Sequence, residues 1–166
     1  PILIDRLLSL GVKKDDITIL FATGAHRRQT REEWERSVGG KLAADMRLED
    51  HVCDNKQDLK YLGTTPSGTP VWVNRKVSPP YKSILTGEIG YHLFAGYSGG
   101  RKSLIPGVSA FETLQANHRL MLDPRSHAGS LDNNPLSEDM IAAASLVNPT
   151  FILNVILNSH KEIVRA

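Results

Sequence analysis

The sequence predicts an α/β domain, a mostly parallel, Rossmann-like sheet with flanking helices, and three observations carry that prediction. Two continuous apolar runs, Ile17–Ala22 and Phe151–Leu157, have the length and composition of buried parallel strands. Capped helical segments stand between them. Glycine and histidine follow the end of the first run directly, and open α/β sheets collect their ligands at the carboxyl ends of strands.

The elements follow in order. Leu3, Leu7, Leu8 and Leu10 recur at helical spacing, and Gly11 is a plausible stop. After strand Ile17–Ala22 comes Thr23-Gly24-Ala25-His26-Arg27, where His26 is open to two readings, a catalytic group or a turn cap. Thr30-Arg31-Glu32-Glu33 reads as a capping box, and Trp34 and Val38 give its helix an apolar face. Gly39-Gly40 interrupts that helix, and a shorter piece resumes through Leu42 and Met46. A short strand is expected between residues 47 and 55, with His51 and Cys53 on one face as structural residues. The segment from Leu62 to Thr69 reads as turn, and Pro70 to Val77 alternates like a strand with one wet face. Pro79-Pro80 closes it, and Ser83–Gly87 is a short strand feeding Tyr91 and His92. Phe111 to Met121 is helical, with Leu114 toward the core and His118 near one edge. Asn134 at the N-cap and Pro135 at N1 start a last helix, whose apolar face is Leu136, Met140, Ile141, Ala144 and Val147. No internal repeat or low-complexity tract is present.

The totals exclude several classes. Of the 166 residues 40% are hydrophobic and 23% charged, and the net charge of +2 mixes both signs, so neither nucleic acid nor a membrane surface is an expected partner. No apolar run approaches the roughly 20 residues of a membrane span. Cys53 is the only cysteine, which suits a reducing cytoplasm. The chain opens on Pro1 without an initiator Met, as a piece of a longer protein would.

Chemistry concentrates in Gly96-Tyr97-Ser98-Gly99-Gly100-Arg101-Lys102-Ser103-Leu104-Ile105-Pro106-Gly107. Four glycines and a proline make poor helix and poor strand and let backbone approach a ligand. Arg101 and Lys102 put two cations at its centre, with His92 before it and His118 after it. Walker geometry is excluded, because Arg101 separates Gly100 from Lys102 and Pro106-Gly107 would break the helix that a P-loop needs. Phosphate binding by Arg101 and the glycine amides stays open, as does a plain exposed turn.

Several separated blocks together are more specific than the loop alone. The stretches 23–27 and 92–102, Pro106-Gly107, Ala116-Asn117-His118 and Asn134-Pro135-Leu136 resemble, in order, the lactate racemase family, and the similarity runs through nearly the whole chain. The resemblance implies that residues 1–166 are part of the N-terminal catalytic and cofactor-binding domain of a longer protein. An upstream block with an Asp and an Arg, and a closing C-terminal domain, would lie outside it. It implies a nickel-pincer nucleotide joined to Lys102 through a thioamide, with Gly99, Gly100 and Arg101 around it. It also implies His118 as the nickel ligand, His26 and His92 as the acid/base pair, and cofactor-synthesis proteins as partners. The implied reaction is racemisation or epimerisation of a 2-hydroxy acid, lactate or a relative, by reversible hydride transfer to the cofactor.

The residue types suit that chemistry on their own terms. A histidine titrates near neutrality and can serve as base in one direction and acid in the other. A deprotonated lysine is a nucleophile, and neutral imidazole suits nickel. Two alternatives stand beside it. A zinc-dependent hydrolase would use His26, His92 and His118 as a three-histidine site, and a non-catalytic nucleotide-binding module would use the same fold without chemistry.

Overall fold

A computed structural model describes residues 2–166. Helix α1 (Ile2–Ser9) leads into strand β1 (Thr18–Phe21). Helices α2 (Arg31–Val38) and α3 (Gly40–Asp45) then cross to β2 (Arg47–Asp50), which runs parallel to β1. The capping box forms: the Glu33 N–H donates to Thr30 Oγ1 at 3.3 Å, and the Thr30 N–H donates to Glu33 Oε2 at 2.8 Å. Trp34 fastens α2 to both strands, stacking on Phe21 with ring centroids 6.0 Å apart and donating from its indole to Asp50 Oδ1 at 3.0 Å. Because β2 stops at Asp50, His51 and Cys53 do not share a strand face. His51 is buried in the loop beyond, with Nε2 2.9 Å from the Ser109 carbonyl.

Next comes a hairpin of β3 (Leu59–Thr64) and β4 (Pro70–Asn74). The turn expected from Leu62 is shorter than the composition suggests. A register shift between Tyr61 and Gly63 absorbs the irregularity, so the strand continues to Thr64 and the turn begins at Thr65. Strand β4 ends before Val77, because Asn74 Oδ1 accepts from the Lys76 N–H and caps a 3-10 turn over Arg75–Val77. Strand β5 (Ile84–Glu88) precedes a short antiparallel pair, β6 (Tyr91–His92) and β7 (Gly96–Tyr97). Helices α4 (Phe111–His118) and α5 (Pro135–Val147) follow. Then β8 (Phe151–Leu157) pairs parallel to β5, and β9 (Ile163–Arg165) pairs antiparallel to β8.

Among the described residues the strands form four small sheets rather than one, and parallel pairing is confined to β1–β2 and β5–β8. The expected burial of the two apolar runs also differs. Strand β1 is only half-buried throughout, and Phe151, Ile152 and Ile156 of β8 are exposed. For β1 the reason is a missing neighbour, since it pairs only with β2. Consecutive residues of β1 and of β5 line one cavity of about 720 Å³. A strand face would contribute alternate residues, so consecutive ones mark two strand edges turned toward the same space.

The main core joins the hairpin, α5 and the tail of the glycine loop through Val71, Val73, Leu104, Ile105, Leu136 and Met140. A smaller cluster of Ile4, Ile17 and Met46 seats α1 on β1 and α3. Two helices differ from the expected apolar pattern. In α5, Ile141 faces solvent while Ala143 is buried. In α4 the buried side chains are Thr113 and Asn117, with Leu114 only half-buried. Hydrogen bonds make that polar face stable: Thr113 Oγ1 donates to the Pro70 carbonyl at 2.6 Å and accepts from the Trp72 N–H at 3.0 Å.

Candidate active site

The glycine loop becomes a 3-10 turn over Gly100–Ser103 that carries Arg101 and Lys102. Directly after it, Leu104 and Ile105 are fully buried. Each such side chain contributes about 2–3 kcal/mol on burial, so the turn is bolted to the core at its far end. Its backbone closes on itself: the Lys102 N–H donates to the Gly99 carbonyl, and the Gly107 N–H donates to the Lys102 carbonyl, both at 3.1 Å. Arg101 Nη2 donates to the Ala95 carbonyl at 2.8 Å, which ties the turn to the loop after His92.

At Gly107 two segments meet. A Cβ there would run into the Ser103 carbonyl and stand 2.8 Å from the Ala22 Cβ, just past the end of β1. Only glycine lets the lysine loop pack so closely on that strand end. The Gly24 N–H then donates to the Gly107 carbonyl at 2.8 Å, joining the His26 loop to the Lys102 loop. His26 itself is exposed.

Both remaining histidines are held by backbone. His118 ends α4, with Nδ1 2.9 Å from the Leu114 carbonyl. That acceptor fixes the proton on Nδ1 and leaves Nε2 with a free lone pair. His92 has the opposite arrangement: the Ala95 and Phe94 N–H groups donate to its Nδ1 at 3.1 and 3.3 Å. In the neutral ring the proton therefore sits on Nε2.

His92, Arg101, Lys102 and His118 also share one electrostatic environment. Burial, then the neighbouring Arg101 guanidinium, holds the Lys102 amine below its ordinary value. Burial, then the charges of Lys102, His118 and Arg101, lowers the His92 imidazole. His118 is lowered by burial and by Lys102, against the opposing pull of the Leu114 carbonyl. Arg101 beside a lysine and two histidines whose charged forms are disfavoured makes a site suited to an anionic ligand and to a lysine that gives up its proton. Arg101 Nε is buried without a partner, a donor available to such a ligand.

The structure thus gathers His92, Arg101, Lys102 and His118 and ties the His26 loop to them through backbone. Among the described residues no three His, Cys, Asp or Glu side chains could hold a metal together, so His26, His92 and His118 do not form the three-histidine zinc site of a hydrolase. No helix among them is long and apolar enough to cross a membrane. Two supporting residues escaped the sequence reading. Asn154 of β8 accepts from the Gly100 N–H at 3.1 Å. Asp139 of α5 is buried and accepts from Asn117 Nδ2 at 2.8 Å, next to His118. Their only sequence signal is a lone polar residue within an apolar strand and a carboxylate beside an apolar helix face.

Comparison with known proteins gives the family and the fold. Residues 1–129 match the family described as lactate racemase N-terminal domain. The chain is 36% identical, over 168 aligned positions, to the lactate racemase of Thermoanaerobacterium thermosaccharolyticum, covering 100% of this chain and 39% of that protein. It is 36% identical to the lactate racemase of Lactiplantibacillus plantarum over 166 positions, covering 99% and 39%. The solved lactate racemase apoprotein from T. thermosaccharolyticum superposes with a TM-score of 0.93, covering 99% of this chain and 40% of that one. A Thermotoga maritima protein superposes at 0.82 with 23% identity, covering 98% and 43%, a likeness of fold alone. The chain spans about two fifths of the length of the relatives it matches.

Proposed function

This chain belongs to the lactate racemase N-terminal domain family, and from that premise we propose that it is the cofactor-holding part of a racemase or epimerase of a 2-hydroxy acid. The observation that carries the proposal is the grouping of Lys102, Arg101, His92 and His118 on and around one glycine turn, with the lysine and both histidines biased toward their neutral forms. The donor set fits a nickel-pincer nucleotide. Lys102 offers a half-buried amine for a thioamide link, His118 offers the free Nε2, and Arg101 Nε suits the phosphate, with Gly99 and Gly100 leaving room for its approach because they carry no Cβ. A single histidine suffices where the organic part of the cofactor supplies the other nickel donors. When bound, that group supplies reversible acceptance of hydride from the substrate carbon.

The chain's own residues then handle the proton. We assign His26 and His92 to the substrate hydroxyl, one taking its proton and the other returning one after the carbon has become planar. For His92 to accept a proton at Nε2, Nδ1 has to carry the other and release the Ala95 and Phe94 amides. Substrate binding is therefore coupled to a shift of the 92–95 loop or a turn of that ring. We also read the two parallel strand pairs as portions of one Rossmann-like sheet, with a further strand of the full-length protein seated between the edges of β1 and β5. A cytoplasmic location, where cofactor-synthesis proteins would load the site, completes the proposal.

The decisive experiment is intact-mass spectrometry of the full-length protein co-expressed with cofactor-synthesis proteins. A covalent adduct is expected on the wild type and absent from Lys102→Ala. An adduct that maps to Lys60 or Lys82 would overturn the assignment.

A further inference from the structure

We propose that Asn154 is a positioning residue whose side-chain amide fixes the turn that presents Lys102. In β8 it is the one polar residue in Phe151-Ile152-Leu153-Asn154-Val155-Ile156-Leu157. Asparagine is a poor strand former, and a mid-strand amide with no ladder role calls for a partner. Its backbone sits opposite Gly87 of β5. Its Oδ1 accepts from the Gly100 N–H, the first residue of the lysine turn, at 3.1 Å.

The surroundings are shaped to that amide. A Cβ on Gly99 would stand 3.1 Å from Asn154 Oδ1 and 3.3 Å from its Cγ, and one on Gly87 would stand 3.3 Å from the same oxygen. Gly99 also has φ of 77°, a conformation that other L residues rarely adopt. Glycines at 87 and 99 therefore leave a slot in which the amide reaches the turn. An N–H at the start of a 3-10 turn has no partner within the turn. Asn154 supplies one from a neighbouring strand and so sets the turn's direction relative to β5 and β8. Two other tethers reach the same turn, Arg101 Nη2 to the Ala95 carbonyl and Ser103 Oγ to the Thr86 carbonyl. Both run through flexible side chains of the turn itself, whereas Asn154 grips its backbone. With all three made, the Lys102 stem leaves the turn in one direction, as a lysine that must meet a bound cofactor requires. This inference rests on the reading of Lys102 as the cofactor lysine.

The test uses the full-length protein with Asn154→Leu, Asn154→Ala and Asn154→Asp. Leucine keeps the branched shape and favours the strand but accepts no hydrogen bond, whereas aspartate keeps the acceptor. Amide hydrogen exchange of the segment 96–107 is measured on the apoprotein, and adduct yield is measured by intact mass after co-expression. In the Leu and Ala variants, exchange at Gly100 should quicken by about 2- to 10-fold, the range a single hydrogen bond commands. Adduct yield at fixed induction time should fall by about tenfold or more. Asn154→Asp should restore both, and Asn154→Leu should still unfold cooperatively, its thermal midpoint lowered by only about 2–4 °C, as the loss of one hydrogen bond implies. Unchanged exchange at Gly100 in both the Leu and Ala variants, or full adduct yield with the turn released, would overturn the proposal. An adduct that survives Lys102→Ala refutes the lysine reading separately, and the exchange measurement still decides whether Asn154 holds the turn.

Discussion

Asp139 is the residue whose removal should cost this domain most per atom lost. Its carboxylate is 1% exposed and accepts from three buried donors: Thr69 Oγ1 and Asn117 Nδ2, each at 2.8 Å, and Thr65 Oγ1 at shorter range. Those donors belong to the β3–β4 turn and to α4, so one side chain of α5 fastens three elements. Hydrogen bonds to a charged group contribute about 1.5–3 kcal/mol each. Burying the carboxylate itself costs several kcal/mol, which its removal returns. The two hydroxyls can also turn to other acceptors, so Asp139→Ala should lose about 2–4 kcal/mol net. Asp139→Asn keeps the shape and one acceptor and should lose about half as much. Urea unfolding followed by tryptophan fluorescence checks both, Trp34 and Trp72 being the only two tryptophans. A shift in the Asp139→Ala midpoint worth less than about 0.5 kcal/mol would refute the idea that this carboxylate organises α4 and α5.

Two further outcomes follow from the site. His118→Ala should leave the domain folded, because the side chain is half-buried at a helix end, yet the loaded protein should lose most of its nickel on desalting; full retention, read by metal analysis, would remove His118 from the ligand set. Stability should also fall as the medium is acidified. His51, His92 and His118 are each held below the ordinary histidine value, burial being the first cause in every one. The unfolded chain then binds protons that the fold refuses, so stability is full above about pH 6.5 and declines below it. A urea midpoint that stays constant from pH 7.5 to pH 5 would contradict this.

How much of this was legible in the sequence depends on how local the cause is. Thr30 and Asn134 cap helices through bonds to residues three positions on, so their pattern shows in any short window. The lysine turn was legible because Gly99, Gly100, Pro106 and Gly107 exclude regular structure wherever they fall. Strand β3 was half hidden, since Leu62-Gly63-Thr64 has turn composition and only pairing with β4 makes it strand. The polar buried face of α4 was invisible, because Thr113 is satisfied by Pro70 and Trp72, more than forty residues away. Asn154 and Asp139 escaped for the same reason: their partners lie 54 positions away, and 22 to 74 positions away. The apolar runs did report strands. An apolar run records that a strand has something to be covered by, not which neighbour supplies the cover, and so the sheets could not be counted from it.

The parallel pairing of β5 with β8 has a consequence for how the protein is made. Ile84 pairs with Phe151, 67 residues later in the chain. At about 5–20 residues per second of synthesis, β5 leaves the ribosome roughly 3–13 s before its partner exists. During that interval the lysine turn is already translated, yet Asn154 has not emerged to hold Gly100, and the edge of β5 offers unpaired N–H and C=O groups to any strand within reach. The nascent chain thus carries Lys102 on an unfinished support, without the burial that lowers its amine in the folded domain. A chaperone that shields β5 until β8 arrives would protect the yield of the lysine turn along with the yield of the fold.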